Sequence, residues 1–264
     1  MLYRIALAIT LLALVPLTHS SPIHIPHPLT APQTQTQTET GHNNLFKRAP
    51  APIITECTVP NSFAVTFDDG PGAWTHDLLD YLAKRNIKVT FFVNGENYNL
   101  ITAPDMAAVV KRAFDEGHQI GSHTWSHADI STSGVDVTNE MKKLDDALLK
   151  IIGVRPVYMR PPYGNTSPAS LETLASLGYK VINWNVDSND WKHPTDFKAD
   201  FEGYKTALQD PAARSKTFIS LQHDAEQYTA MGFGKLAVEY VLSKGFNIMP
   251  VGTCLGDTTG WYRQ

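Results

Sequence analysis

The chain has 264 residues, 42% of them hydrophobic and 18% charged, which is enough for one sizeable core and unlike a disordered tail or a collagen-like fibre. Twenty-two Lys and Arg stand against 26 Asp and Glu for a formal net charge of -4, and with no basic block anywhere, no nucleic-acid partner is expected. Two cysteines alone, Cys57 and Cys254, exclude a zinc-finger framework and the small disulfide-dense modules that need several bridges.

The chain opens with Met1-Leu2-Tyr3-Arg4, an apolar run over 5–17, and Thr18-His19-Ser20. That order of charged start, apolar middle and small-residue end predicts a secretory signal peptide over 1–20. A membrane anchor would need ~20 apolar residues to cross ~30 Å of hydrocarbon, more than the run offers, so the mature protein is expected off the membrane, secreted to the extracellular space or cell wall. Residues 21–48 are rich in Pro, Thr and Gln and carry too little apolar surface to fold. They read as a disordered pro-segment or linker ending at the dibasic pair Lys47-Arg48, where a processing protease would cut; a chance Lys-Arg pair is the alternative. The folded domain is then 49–264. In an oxidising compartment, Cys57 and Cys254, near the two ends of that domain, are expected to form a disulfide, with two free buried thiols as the competing reading.

From residue 63 onward short apolar strands alternate with amphipathic segments. Strands are predicted at 63–67, 88–93, 119–122, 156–160, 179–184, 217–222 and 246–250. Helices are predicted at 75–85, 104–116, 136–152, 167–177, 196–209 and 232–244, the third started by Asp136 and stopped by Gly153. Regular alternation means a parallel sheet with helices outside. Polar residues stand at the C-terminal ends of five strands: Asp68 and Asp69, His123, Arg160, Asp187, and His223. A barrel gathers chemistry from many strand ends, whereas an open sheet uses one switch point. The expected fold is therefore an α/β, distorted or incomplete (β/α) barrel of about seven parallel strands. No Gly-x-Gly-x-x-Gly or phosphate loop is present, so nucleotide cofactors have no support.

Five motifs carry chemistry. Asp68-Asp69-Gly70-Pro71 sets two adjacent carboxylates on a sharp turn, pointing in different directions and free to take different jobs; alone it could be an ordinary turn. Ser122-His123-Thr124-Trp125-Ser126-His127 spaces two histidines to share one face of a helical turn and reach one metal ion, with a nearby carboxylate as third ligand. Arg160-Pro161-Pro162-Tyr163-Gly164 places a fixed cation at a strand end and a stiff loop whose next free backbone N–H, at Tyr163, could serve an oxyanion. Asp187-Ser188-Asn189-Asp190-Trp191 and Ser220-Leu221-Gln222-His223-Asp224 add a carboxylate, an exposed aromatic and another histidine. Asn165-Thr166-Ser167 is a glycosylation sequon beside the Arg160 loop.

In this order, over residues 57–251, the five motifs resemble the polysaccharide deacetylases of carbohydrate esterase family 4, and most of all the secreted fungal chitin deacetylases, including the cysteine near each end and the Asn94-Gly95-Glu96-Asn97 stretch. The resemblance implies a distorted (β/α) barrel. It implies that Asp69, His123 and His127 bind a divalent metal, most often Zn2+, with Co2+ as a substitute. It makes Asp68 the general base, held by Arg160, and His223 the general acid, oriented and charged by Asp187. Tyr163 would offer its backbone N–H to the oxyanion, while Trp191 and Leu221 shape the pocket for the acetyl methyl. The implied reaction is removal of N-acetyl groups from chitin or N-acetylglucosamine oligomers by a monomer; acetylxylan esterase, peptidoglycan deacetylase and a non-catalytic chitin-binding protein are the alternatives. Chemically the set is coherent, because amide hydrolysis needs a strong nucleophile at neutral pH and a separate acid for the poor amine leaving group.

Overall fold

A computed structural model of the protein describes residues 49–193 and 195–264. The predicted signal peptide, pro-segment and dibasic site, at 1–48, lie outside the described residues.

The chain runs β1 (Ile53–Ile54), β2 (Ser62–Ala64), β3 (Thr66–Asp68), α1 (Thr75–Arg85), β4 (Thr90–Val93), α2 (Pro104–Asp115), β5 (Gln119–Ser122) and α3 (Val137–Ile152). It continues through β6 (Arg155–Pro156), β7 (Tyr158–Met159), α4 (Pro168–Ser176), β8 (Lys180–Ile182), β9 (Val186–Asp187), α5 (Phe197–Leu208), β10 (Phe218–Leu221), α6 (Gly234–Ser243), β11 (Asn247–Ile248), α7 (Val251–Cys254) and β12 (Tyr262–Arg263). Every predicted strand and helix is present. Asp136 caps α3 by accepting from the Asn139 N–H, and Gly153 ends it at φ 79°, the left-handed position that glycine adopts without strain.

One parallel sheet has the order β1-β8-β7-β5-β4-β3, and a second has β11-β2-β10-β9. Two stretches of chain belong to both. Residues 62–68 pair with β10 and β11 in their first half and with β4 in their second; residues 180–187 pair with β7 first and with β10 last. These two crossings, with an isolated bridge between Asp68 and His223, curl the sheets around one axis into a distorted barrel. The two-residue strands β1, β9 and β12 and the four-residue α7 escape the periodicity reading, because such short segments give no countable pattern. β12 pairs antiparallel with β6.

Side chains alternate along each strand, as the pleat requires. Phe63, Val65, Phe67, Phe91 and Val93 point outward into the large core shared with Leu78, Leu79, Val109, Leu144 and Val238. Ala64, Phe92, Tyr158, Ile182 and Ile219 point inward and fill the barrel together with Cys57, Val251 and Cys254. The end of the barrel where the strands begin is plugged by α7. The Val251 N–H donates to Thr90 Oγ1 at 2.9 Å and the Gly252 N–H to Gln119 Oε1 at 2.8 Å, on the first residues of β4 and β5. A Cβ at Gly252 would lie 2.1 Å from the Trp261 indole nitrogen, so only glycine fits under that ring. Cys57 and Cys254 form the predicted disulfide there, across 197 positions of chain. With the strand starts closed, the open end is the one where the strands finish. Among the described residues, no helix is long and apolar enough to cross a membrane.

Closing so long a loop stabilises by about 5 kcal/mol in the chain-entropy account. Replacing both cysteines by serine is therefore expected to lower the unfolding free energy from urea titration by that order and leave the cleft chemistry unchanged; an unfolding free energy equal to that of the parent would refute the plug's role as a staple.

Candidate active site

At the open end the strands deliver their last residues to one cleft of about 730 Å3. Its lining brings together Asp68, Asp69, His123, His127, Tyr163, Asp187, Trp191, Leu221 and His223, residues singled out from the sequence, and it includes Tyr98 and Trp184. Arg160 lies beneath this floor and is fully buried. Asn165 is exposed outside the cleft, its Nδ2 donating to Asp129 Oδ2 at 2.9 Å.

The floor is organised by Arg160. Its Nη1 donates to Asp68 Oδ1 at 2.8 Å and to Thr66 Oγ1 at 2.6 Å, Nε to the Ile182 carbonyl at 3.4 Å, and Nη2 to the Asn183 carbonyl at 3.2 Å. The guanidinium stacks 4.5 Å from the Phe92 ring centre. Asp68 is thereby fixed through Oδ1, leaving Oδ2 for the cleft. Burial raises the Asp68 pKa, and the Arg160 charge and hydrogen bond work against that rise.

Asp69, the next residue, takes φ 70°, which swings its carboxylate away from that of Asp68. Gly70 follows because a Cβ there would sit 2.4 Å from Asp224 Oδ2. The Asp224 carboxylate also accepts from Thr75 Oγ1, whose oxygen accepts the Gly72 N–H, so the turn is tied to the strand end that carries His223.

The two histidines meet Asp69 by a route the sequence did not predict. Residues 123–127 form no helical turn; instead Thr124 at φ 68° and His127 at φ 54° bend the chain back on itself. The result still sets the two imidazole centres 5.0 Å apart. His127 Nε2 lies 3.2 Å and His123 Nε2 3.5 Å from Asp69 Oδ1, and the three donor atoms are all within 4.8 Å of one another. The bend is held by Asn94, whose Nδ2 donates to the Thr124 carbonyl at 3.1 Å, and by Glu140, which accepts from the Ser126 N–H at 2.8 Å and its hydroxyl at 2.9 Å.

These residues fit a divalent cation. His123 Nδ1 lies 2.8 Å from the Arg160 carbonyl, so it carries the proton and Nε2 is left with its lone pair toward Asp69, the arrangement that orients metal-binding imidazoles. Burial holds both imidazoles neutral, with pKa values below the usual range. Burial also pushes Asp69 up to about 7, and its Oδ1 has no hydrogen-bond partner among the described residues. A buried carboxylate oxygen facing two neutral imidazoles lacks a positive charge, and the set matches the two-histidine, one-carboxylate sites that keep positions open for water and substrate.

Across the cleft the structure corrects one assignment. The carboxylate that orients His223 is Asp190, not Asp187. Asp190 Oδ1 lies 2.7 Å from His223 Nδ1, Oδ2 accepts the His223 backbone N–H at 2.8 Å, and Thr229 Oγ1 donates to Oδ2 at 2.7 Å. Asp187 instead accepts the Asn189 N–H at 2.8 Å and sits at the end of β9 beside Leu221. The chain turns between the two residues, Asn189 at φ 59°, and only the second carboxylate reaches under β10. Both belong to one five-residue motif, so the sequence marked the segment but not which acid pointed inward. Burial opposes a charge on His223; the Asp190 bond and charge, with Asp69 and Asp68, outweigh it and raise its pKa to about 9. A proton thus stands on the side of the cleft facing Asp68.

Tyr163 takes φ 59° on the stiff loop after Arg160, and its exposed ring packs against His127 with centres 4.7 Å apart. Trp191 is 58% exposed at the cleft wall, whereas Leu221 is buried beneath it.

Comparisons with known proteins agree with this geometry. A family model described as polysaccharide deacetylase matches residues 55–182. A chitin deacetylase of Pestalotiopsis sp is 46% identical over 215 residues, covering 80% of this chain and 70% of that protein. Another from Arthroderma benhamiae is 42% identical, covering 80% of this chain and 56% of its own length. The solved structure of the chitin deacetylase from the fungal pathogen Colletotrichum lindemuthianum superposes with a TM-score of 0.77 at 33% identity, over 81% of this chain and 96% of that one.

Because Asp190 keeps the His223 ring charged, its removal has a defined sign. In Asp190→Asn the imidazole pKa falls from about 9 toward the ordinary ~6.5, so the alkaline limb of a kcat/KM–pH profile is expected to move to lower pH. Asp187→Asn should leave that limb in place; the reverse pattern would restore the sequence-based assignment.

Proposed function

Since the chain belongs to the polysaccharide deacetylase family, we propose that it hydrolyses N-acetyl groups of chitin or N-acetylglucosamine oligomers, giving acetate and glucosamine units. The observation that carries this reading is one cleft with a metal-competent triad, Asp69, His123 and His127, between a clamped carboxylate and a clamped imidazole. The names of the fungal relatives favour chitin as substrate. Zn2+ is the proposed cation, since two imidazoles and one carboxylate are its usual catalytic donors, and Co2+ would substitute.

Bound there, the cation would supply a nucleophile at neutral pH and Lewis acidity toward the acetamide oxygen. The protein groups do the rest. Asp68, steadied by Arg160 at 2.8 Å, takes the proton from the attacking water through its free Oδ2. The Tyr163 backbone N–H, on a loop stiffened by Pro161 and Pro162, faces the charge that develops on the former carbonyl oxygen. His223 gives its proton from Nε2 to the departing amine, which is a poor leaving group until protonated. Leu221 and Trp191 bound the space for the acetyl methyl and the sugar face.

Residues 1–20 act in this reading as a signal peptide, with cleavage after Arg48 releasing a secreted 49–264. The buried disulfide supports passage through an oxidising compartment. Asn165 is the proposed glycan site, bordering the cleft without entering it.

Purified enzyme is expected to release acetate from N-acetylglucosamine oligomers, to lose that activity with a chelator and to regain it with Zn2+. Asp68→Asn should lower kcat by about 10²-fold or more while still binding the cation. No release from oligomers, with release from acetylated xylan or peptidoglycan under the same conditions, would move the substrate while keeping the chemistry.

A further inference from the structure

Asp190 aims His223, and Asp190 itself sits on a run of tight turns between β9 and α5. The Asp187 carboxylate accepts the Asn189 N–H at 2.8 Å, and the Ser188 hydroxyl accepts the Asp190 N–H at 3.2 Å. The Ser188 N–H donates to the Leu221 carbonyl at 3.3 Å, and the Asn189 carbonyl accepts the N–H groups of Lys192 at 2.8 Å and His193 at 3.1 Å. These bonds make 187–193 one stiff unit, so where the unit is seated decides where the Asp190 carboxylate lies.

Helix α5 provides the seat through Asp200 and Gly203, which share one of its faces at a spacing of three. At the start of the unit, a Cβ on Gly203 would lie 1.9 Å from the Asp187 carbonyl oxygen. A backbone oxygen cannot rotate aside, so the helix meets β9 at a distance that only glycine allows, although glycine weakens a helix interior. At the end of the unit, His193 Nδ1 lies 3.6 Å from Asp200 Oδ1. The same carboxylate is fully buried and faces the Tyr228 hydroxyl, whose neighbour Thr229 donates to Asp190 Oδ2 at 2.7 Å. Burial pushes Asp200 up to about 6, a cost that an apolar side chain would avoid if packing were its only task. Tyr204, next to Gly203, is fully buried with its ring stacked on Phe63 of β2 at 5.9 Å between centres, which ties the helix to the sheet.

Both ends of the Asp190 unit, and the tyrosine beside the threonine that holds Asp190, thus converge on one helix face. We propose that α5 is a positioning element for the proton donor: Asp200 and Gly203 fix the seat of the Asp190 carboxylate and, through it, the aim of the His223 ring. The role of His223 as donor rests on the deacetylase reading; the seat itself does not.

The test pairs kcat and KM for acetate release with the downfield proton resonance of the His223 Nδ1–H, assigned by its absence in Asp190→Asn, in purified Gly203→Ala, Asp200→Ala and Asp200→Asn. Gly203→Ala pushes the helix off Asp187, and Asp200→Ala removes the support at the other end. Each is expected to lower kcat by about 10- to 10²-fold, the effect of a small misplacement, with KM unchanged and the resonance moved upfield as the bond to Asp190 lengthens. Asp200→Asn keeps an oxygen for Tyr228 and should retain most of both. Alanine steadies a helix interior relative to glycine, so a lower kcat at a held melting temperature is not unfolding. Parent-like kcat and resonance in whichever alanine variant folds, or a raised KM with kcat intact, overturns the proposal. A parent enzyme that releases no acetate from any acetylated substrate overturns the deacetylase reading alone, and the resonance then decides: displaced in the alanine variants, it upholds the seat; unmoved, it overturns it.

Discussion

The bond between Arg160 and Asp68 is the constraint on which the site depends. A guanidinium fully removed from water is costly unless every direction is satisfied, and here a carboxylate, a hydroxyl, three carbonyls and an aromatic face do so. Those partners come from β3, β4, β10 and the residues at and beyond the end of β8, so the same cation that steadies the Asp68 carboxylate also pins the strand ends to one another. The carbonyl of Arg160 then sets the tautomer of His123. One residue thereby fixes a carboxylate, an imidazole tautomer and the spacing of the barrel mouth.

Around this rigid centre the backbone is unusual in a consistent way. Asp69, Thr124, His127 and Tyr163 all adopt positive φ without being glycine, a conformation that costs of order 1–3 kcal/mol each where nothing compensates. Asp69, His127 and Tyr163 thereby bring their side chains to the cleft, and Thr124 bends the chain between the two histidines. The compensating bonds come from neighbours outside the reacting set: Asn94 and Glu140 under the histidine bend, and Thr75 and Asp224 under the carboxylate turn.

Much of this was legible from the sequence, for identifiable reasons. βα alternation is written in apolar periodicity, and polar residues at five strand ends pointed to a barrel because only a barrel brings them together. The helix limits at Asp136 and Gly153 follow from capping chemistry. What could not be read is direction. The spacing of His123 and His127 suggested a helical turn, yet a bend through two left-handed residues satisfies the same separation. Asp187 and Asp190 are equivalent as letters, and the choice between them is made by a turn at Asn189 and by a hydroxyl, Thr229, lying 39 positions from Asp190. The two places where chain passes from one sheet to the other are likewise invisible in periodicity, since pairing partners change while the in-and-out alternation continues.

The double attachment of His223 to Asp190 gives the cleft a handedness. Backbone N–H and ring Nδ1 of the same residue end on one carboxylate, which removes rotation about the side chain and leaves Nε2 as the ring atom that can serve the cleft, along one fixed line. Whatever meets this ring must therefore come to it along that line, because the fold has already set the direction in which the imidazole points.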